Sequence, residues 1–276
     1  MKQDCMDYEI LIIDQTTHHD RDTSIFLKNL PPIARVINNE IPSLTMARNK
    51  GIREAKGDVI IMIDDDVIIG PTFIYEHLKY YDDPLVGGVT GKISTRRKSK
   101  SIIHLLLKNE FLKWVSPTAF QSSKEQDALR FAGGNFSFRK SILNNIGYFD
   151  KNFIGTAWAE ELDFSIRFKN NGYKIIYNPK AEIYHLELQE GGCNKRTRFN
   201  FDTVHSYSYN MSYFIEKNKL NRLFYIYLIV YIYKRVFFKK DYISIKGFIF
   251  IYKSTFIFIK GLLKGFLTGR KHIYIS

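Results

Sequence analysis

The sequence predicts an α/β protein, and three observations predict it. Val59 to Ile63 is an unbroken apolar run that ends in three successive acids, Asp64, Asp65 and Asp66. An earlier apolar run, Ile10 to Ile13, also ends in an acid, Asp14, and a stretch with helical spacing lies between the two. Strand, helix and strand in that order is the grammar of parallel α/β folds.

Each element follows from local chemistry. Glu9 to Asp14 reads as a buried strand running into the loop Gln15-Thr16-Thr17. Residues 21–30 suit a short helix, stopped by Pro31 and Pro32. Val36 and Ile37 mark a second strand. Ser43 or Thr45 can cap a helix through Ala55, in which Ala47, Ile52 and Ala55 recur at helical spacing, and Gly57 closes it. After Pro71 a helix runs to Tyr81, and Val86 to Ile93 is the next strand. Arg96 to Lys100 is a basic loop, and residues 101–128 mix aromatic and polar side chains as helix and loop. Phe131 to Arg139 is a glycine turn opening into a strand, after which Ser141 caps a short helix ending near Gly147. Glu160 to Asn171 is a helix with Leu162, Ile166 and Phe168 facing inward, closed by Gly172. Lys174 to Tyr177 and Ala181 to His185 are two further extended pieces.

The bulk numbers bound the function. A chain of 276 residues, 45% hydrophobic and 15% aromatic, can build one large domain or one domain with an appendage. Its net charge of +13 sits at one end: from Lys217 onward 13 Lys and Arg stand against the single acid Asp241, which leaves +1 for residues 1–216. That basic tail would suit nucleic acid or an anionic membrane, and its long apolar runs argue for lipid. Cys5 and Cys193 are too few for a disulfide framework or a cysteine metal site, which fits a reducing cytoplasm. Met1 to Tyr8 is polar and acidic, so the expectation is against export by a secretory signal.

Three acids at a strand end crowd like charges at the carboxyl edge of a sheet, where open α/β folds bind ligands. A divalent cation with oxygen ligands relieves that repulsion, and a diphosphate would complete its shell. The same triplet also suits a solvated acidic turn, and the flanking segments decide between the two. Ala47-Arg48-Asn49-Lys50-Gly51, Ala55-Lys56-Gly57-Asp58 and Ile63 to Val67 resemble the stretch of family 2 glycosyltransferases that leads a helix into their metal-binding acidic motif. Gly133 to Ser137, Gly147 to Asp150, Glu160 to Arg167, and Asn178 to Ala181 with His185 resemble the acceptor-side segments of that family, in order, so the resemblance spans about residues 9–218.

The resemblance implies the GT-A fold, a Rossmann-like three-layer sandwich, and metal-dependent inverting transfer of a sugar from a nucleotide-diphosphate sugar to a glycan or lipid-linked acceptor. It implies Mg²⁺ or Mn²⁺ as cofactor. Asp14 matches the acid that contacts the base, and Arg48 lies in a stretch bordering the nucleotide. Asp64 and Asp66 match the outer acids of the metal motif, one toward the donor ribose and the other toward the metal, with Asp65 sharing either task. His185 matches a histidine near the metal and diphosphate, against a purely structural role at a strand end. Glu161 takes the place of the general base, one methylene longer than the family's Asp. Glu160 and Asp163 are the alternatives, although carboxylates in a first helical turn also simply favour the helix dipole. The family usually opens with a strand and helix ahead of the segment matching Glu9 to Asp14, where this sequence has eight residues. Two other readings stay open on sequence: a sugar nucleotidyltransferase, although the basic glycine-rich loop of that class is not found, and a catalytically inactive membrane-bound scaffold.

These readings divide the chain into a body, 1–218, and a basic amphipathic tail, 219–276. Leu223 to Tyr233 is apolar throughout, but its 11 residues fall short of the roughly 20 that span a bilayer. Lys239, Lys246, Lys253, Lys260 and Lys264 recur at intervals of seven, seven, seven and four, along one side of a helix. A lysine stripe opposite a broad apolar face predicts a helix lying on the inner face of an anionic plasma membrane. The competing expectation is a helix that packs its apolar face on the body.

Overall fold

The computed structural model describes residues 3–4, 7–96, 120–186, 201–220 and 245–275. Cys5, Cys193, most of the 96–128 loop region, the 223–233 run and Lys239 lie outside the described residues. The chain divides into two units: residues 1–40, 49–148 and 164–188, and residues 41–48, 149–163 and 189–276.

In the first unit, β1 (Ile10–Asp14) and β2 (Ala34–Asn38) pair in parallel, joined by α1 (Arg21–Lys28). Asp20 starts α1 by accepting a hydrogen bond from the Thr23 amide at 2.7 Å. No residue of β1 is fully buried, and among the described residues β1 and β2 pair only with each other. The helix α2 (Leu44–Glu54) contributes residues to both units, and Ser43 Oγ accepts from the Met46 amide at its start. Next come β3 (Val59–Ile63), β4 (Val67–Ile69), α3 (Phe73–Leu78) and β5 (Val86–Thr95). Then follow β6 (Gln126–Asp127), β7 (Asn135–Arg139), α4 (Leu143–Ile146), α5 (Glu160–Asn170) and β8 (Lys174–His185).

The main sheet runs β3-β7-β5-β8-β4, with β6 alongside β8. Its pairs are antiparallel except β5 with β8. A strand, helix, strand sequence suggested parallel pairing for β3, but β3 pairs antiparallel with β7, 76 positions along in the Ile63–Asn135 to Val59–Arg139 register. Local sequence forms the strand, whereas distant packing chooses its partner. The choice here follows an aromatic core: Phe131, Phe136, Phe138, Phe164 and Phe168 are all fully buried, with ring centroids 4.9 to 5.2 Å apart at the closest contacts.

Several local expectations shift. Helix α3 stops at Leu78 rather than Tyr81, because Tyr81 leaves the helix to bond Ser137 Oγ at 2.8 Å. Ser141 makes no capping bond and lies inside a short 3₁₀ turn, Lys140–Ile142. In α5, Phe164 and Ser165 are buried while Ile166 is only half-buried. The pieces 174–177 and 181–185 are one continuous strand.

His77 on α3 is fully enclosed, with ring nitrogens 3.0 Å from Ser137 Oγ and 3.0 Å from Asn135 Oδ1. Burial pushes its pKa down to about 4, outweighing the Asn135 bond and the nearby Glu76. The folded protein therefore holds His77 neutral where an unfolded chain, near 6.5, takes up a proton. Stability is complete above that value and falls as pH drops from about 6.5 toward 4, by on the order of 3 kcal/mol for this group. Thermal melts across that range are expected to show the fall, and His77→Asn to show a shallower one.

In the second unit, α6 (Phe201–Lys217) packs against α7 (Ile245–Ile275). Gly261, Gly265 and Gly269 of α7 lie against the backbone and small side chains of α6 at His205, Ser208, Tyr209, Ser212 and Tyr213. A methyl group at any of them would collide with α6.

Candidate active site

The acid triplet occupies the bend between β3 and β4, and β4, which the sequence reading did not foresee, fixes its far side. Val67 pairs with His185 in the β4–β8 ladder, and the Leu186 amide donates to the Asp66 carbonyl at 2.8 Å. This brings His185 Nε2 to 3.3 Å from Asp66 Oδ1 and 3.5 Å from Asp64 Oδ2. One ligand atom from each of the three lies within 4.8 Å of the others. Asp64, which the resemblance turned toward the donor ribose, thus stands with Asp66 and His185, while Asp65 between them in sequence is exposed and not part of this cluster.

Two carboxylate oxygens and one imidazole nitrogen at this spacing suit a divalent cation of the Mg²⁺ or Mn²⁺ kind. Three ligands leave half of an octahedral shell for other oxygens. The glycine turn ahead of β7 backs the same site, since a Cβ on Gly134 would run into the Asp64 carboxylate. Gly134→Ala is therefore expected to weaken Mn²⁺ binding by roughly tenfold or more with little change in melting temperature, measured by titration calorimetry.

Asp14, at the end of β1, accepts from the Thr16 amide at 2.9 Å and faces His19 Nε2 at 2.7 Å. Burial alone would raise its pKa, but the Thr16 and His19 bonds outweigh it and keep the carboxyl below its usual range. His19, a partner the sequence reading missed, carries no motif signal of its own.

In the second unit the first turn of α5 holds the three candidate bases. Glu160 is 2% exposed and ion-paired with Arg48, itself 8% exposed and lying over the Phe149 ring at 5.3 Å. Arg48, expected beside the nucleotide, has a buried carboxylate as its observed partner. Asp163 is fully buried, with Lys217 Nζ at 2.9 Å and Asn218 Nδ2 at 3.2 Å. Lys217 also pairs with Asp150 at 2.7 Å, and the Tyr213 hydroxyl donates to that acid at 2.5 Å. Burial would raise the Asp150 pKa, yet Lys217 and Tyr213 hold it down at about 2. Of the three candidates, Glu161 alone is partly exposed.

The segment leading into these acids is held in an unusual conformation. Ala157 and Ala159 take φ of 49° and 77° while buried to 1% and 0%. Each left-handed alanine costs about 1 to 2 kcal/mol, which the surrounding packing must offset. No sequence signal marks this turn.

The sequence model of the family described as Glycosyl transferase family 2 matches residues 1–147. A poly-beta-1,6-N-acetyl-D-glucosamine synthase of Staphylococcus aureus (strain COL) is 30% identical over 159 residues, which cover 55% of this chain and 37% of that protein. The synthase of the same name from a Staphylococcus epidermidis strain is 29% identical over 144 residues, covering 51% and 33%. The match thus spans about a third of the length of these relatives. Among solved structures, a mannosyltransferase from Pyrobaculum calidifontis in complex with GDP-Man and Mn²⁺ superposes with a TM-score of 0.51 at 14% identity, covering 97% of this chain and 78% of that one. GalNAc-T7 with UDP, GalNAc and Mn²⁺ gives 0.50 at 16%, covering 76% and 44%. At these identities the likeness is one of fold, the GT-A fold.

Proposed function

Because the chain belongs to glycosyl transferase family 2, we propose that it moves a sugar from a nucleotide-diphosphate sugar to an acceptor hydroxyl with inversion at the anomeric carbon. The observation that carries this reading is the convergence of Asp64, Asp66 and His185 at the ends of β3, β4 and β8. With the cation bound, the site supplies positive charge to the leaving diphosphate. Asp66, Asp64 and His185 would hold that cation, Asp65 is exposed in the same bend where it could share the donor, and Asp14 lies at the end of β1 to accept from the base.

Glu161 is the general base: it removes the acceptor proton as the acceptor oxygen attacks. Its partial exposure supports the choice, since Glu160 and Asp163 are buried against Arg48 and Lys217. In this reading Arg48 and Glu160 brace the first turn of α5. Single displacement needs no protein nucleophile. The relatives' name makes an N-acetylglucosamine donor the first to try, and the family resemblance supports a glycan or lipid-linked acceptor in surface polysaccharide or glycolipid synthesis.

The finer placement is a catalytic body over 1–218 and a tail over 219–276 that holds the protein at the inner face of the plasma membrane. Among the described residues no helix is long and apolar enough to cross a membrane, which favours a peripheral arrangement for this part of the chain.

Mn²⁺ electron paramagnetic resonance tests the metal half of this reading without any acceptor. The signal of added Mn²⁺ is expected to be quenched by the protein, more strongly when UDP or GDP is present. An unchanged signal in all mixtures would remove the metal site from the account.

A further inference from the structure

The helix α7 presents two unlike faces. Ser254, Phe258, Gly261, Gly265 and Gly269 are buried, and the three glycines let the backbone settle onto α6. This seam is ordinary helix packing through small residues. The opposite side is not polar. Phe256 is 71% exposed, Ile259 50%, Leu263 60% and Leu267 59%. Their spacings of three, four and four place them in one stripe about 16 Å long.

Lys253, Lys260, Lys264 and Lys271 are exposed beside that stripe, roughly a fifth of a turn round the helix. The sequence expectation put the lysines opposite the apolar face. Instead the glycine seam takes the opposite side, and lysines and large apolar residues share the outer one. The helix contains no Asp or Glu, and Arg270, on the other flank, pairs with Glu216 of α6 at 3.6 Å. A water-exposed helix normally turns its large apolar residues inward. Here the seam is built from Ser254, Gly261, Gly265 and Gly269 together with Phe258, and Phe256, Ile259, Leu263 and Leu267 point away from it.

We propose that this outer face of α7 lies in the headgroup region of an anionic membrane, with Phe256, Ile259, Leu263 and Leu267 entering the acyl boundary and the flanking lysines reaching lipid phosphates. One sign of charge along the apolar stripe matches an anionic lipid surface, and long lysine stems allow the ammonium groups to rise to the phosphates while the stripe sinks. The glycine seam stays on α6 throughout, so the protein is carried by a helix that is bound on both sides. This deepens the membrane placement of the tail proposed above and rests on that reading, but it does not depend on sugar transfer.

Flotation of the full chain with vesicles tests it. Vesicles of phosphatidylcholine with about one-third phosphatidylglycerol are expected to carry the protein, and high salt to weaken binding, whereas phosphatidylcholine alone carries far less. The double variant Phe256→Ser and Leu263→Ser changes only exposed positions, so its melting temperature is expected to hold while partitioning falls roughly tenfold or more. Lys260→Glu with Lys264→Glu should lose the preference for anionic vesicles. Sugar transfer to a soluble acceptor is expected to survive both changes, which separates failure of this proposal from failure of the catalytic one. The proposal is overturned if the wild type ignores vesicles, or if the serine variant floats as well as wild type. It is also overturned if sedimentation shows a dimer that the serine variant dissolves, since the face would then belong to a second copy of the chain.

Discussion

Asp66→Ala is expected to lower sugar transfer by roughly 10³-fold or more while leaving the fold intact, because the loss of a cation at a departing diphosphate costs several kcal/mol. The structural reason for an intact fold is specific. The Asp66 backbone carbonyl, not its carboxylate, receives the Leu186 amide, so the strand-end bond survives the substitution. Removing one of two close carboxylates also relieves repulsion between Asp64 and Asp66. Steady-state kinetics beside a thermal melt checks both halves: activity lost and melting temperature unchanged or slightly higher. Full activity in this variant would refute the assignment of the triplet.

Glu161→Gln keeps size and removes the proton acceptor, and kcat is expected to fall by roughly 10² to 10⁴ with the melting temperature unchanged. Asp163→Asn serves as the contrast: Lys217 keeps Asp150 as its partner, and the loss of the buried charged bond to Asp163 is expected to destabilise the protein by about 1 to 3 kcal/mol. A near-normal Glu161→Gln beside a folded but inactive Asp163→Asn would move the base two positions along α5.

The acid triplet, the glycine turn and His185 were legible because each is a local signal at the end of a strand. What the sequence could not say was which of Glu160, Glu161 and Asp163 meets solvent. That depends on Arg48, 112 positions before Glu160, and on Lys217, 54 positions after Asp163. Neither carries a mark that links it to α5. The left-handed turn at Ala157 and Ala159 was equally silent, since alanine ordinarily avoids that conformation. Pairing of β3 with β7 was illegible for a related reason, as strand partners are set by what buries the phenylalanine cluster rather than by neighbours in sequence. On α7 the lysine period was visible. Its relation to the apolar stripe was not, because nothing in the lysine period marks the side on which Gly261, Gly265 and Gly269 meet α6.

The account rests on metal-dependent sugar transfer, and the most direct measurement is release and transfer of label from a panel of nucleotide-sugars, UDP-N-acetylglucosamine first, with Mn²⁺, with Mg²⁺ and with EDTA. The account predicts turnover of at least one donor with a divalent ion, none in EDTA, and turnover lowered by roughly a hundredfold or more in Asp66→Ala and Glu161→Gln with either ion. Turnover undiminished by EDTA, or a folded wild-type protein that consumes no donor in the panel with either ion, would contradict it.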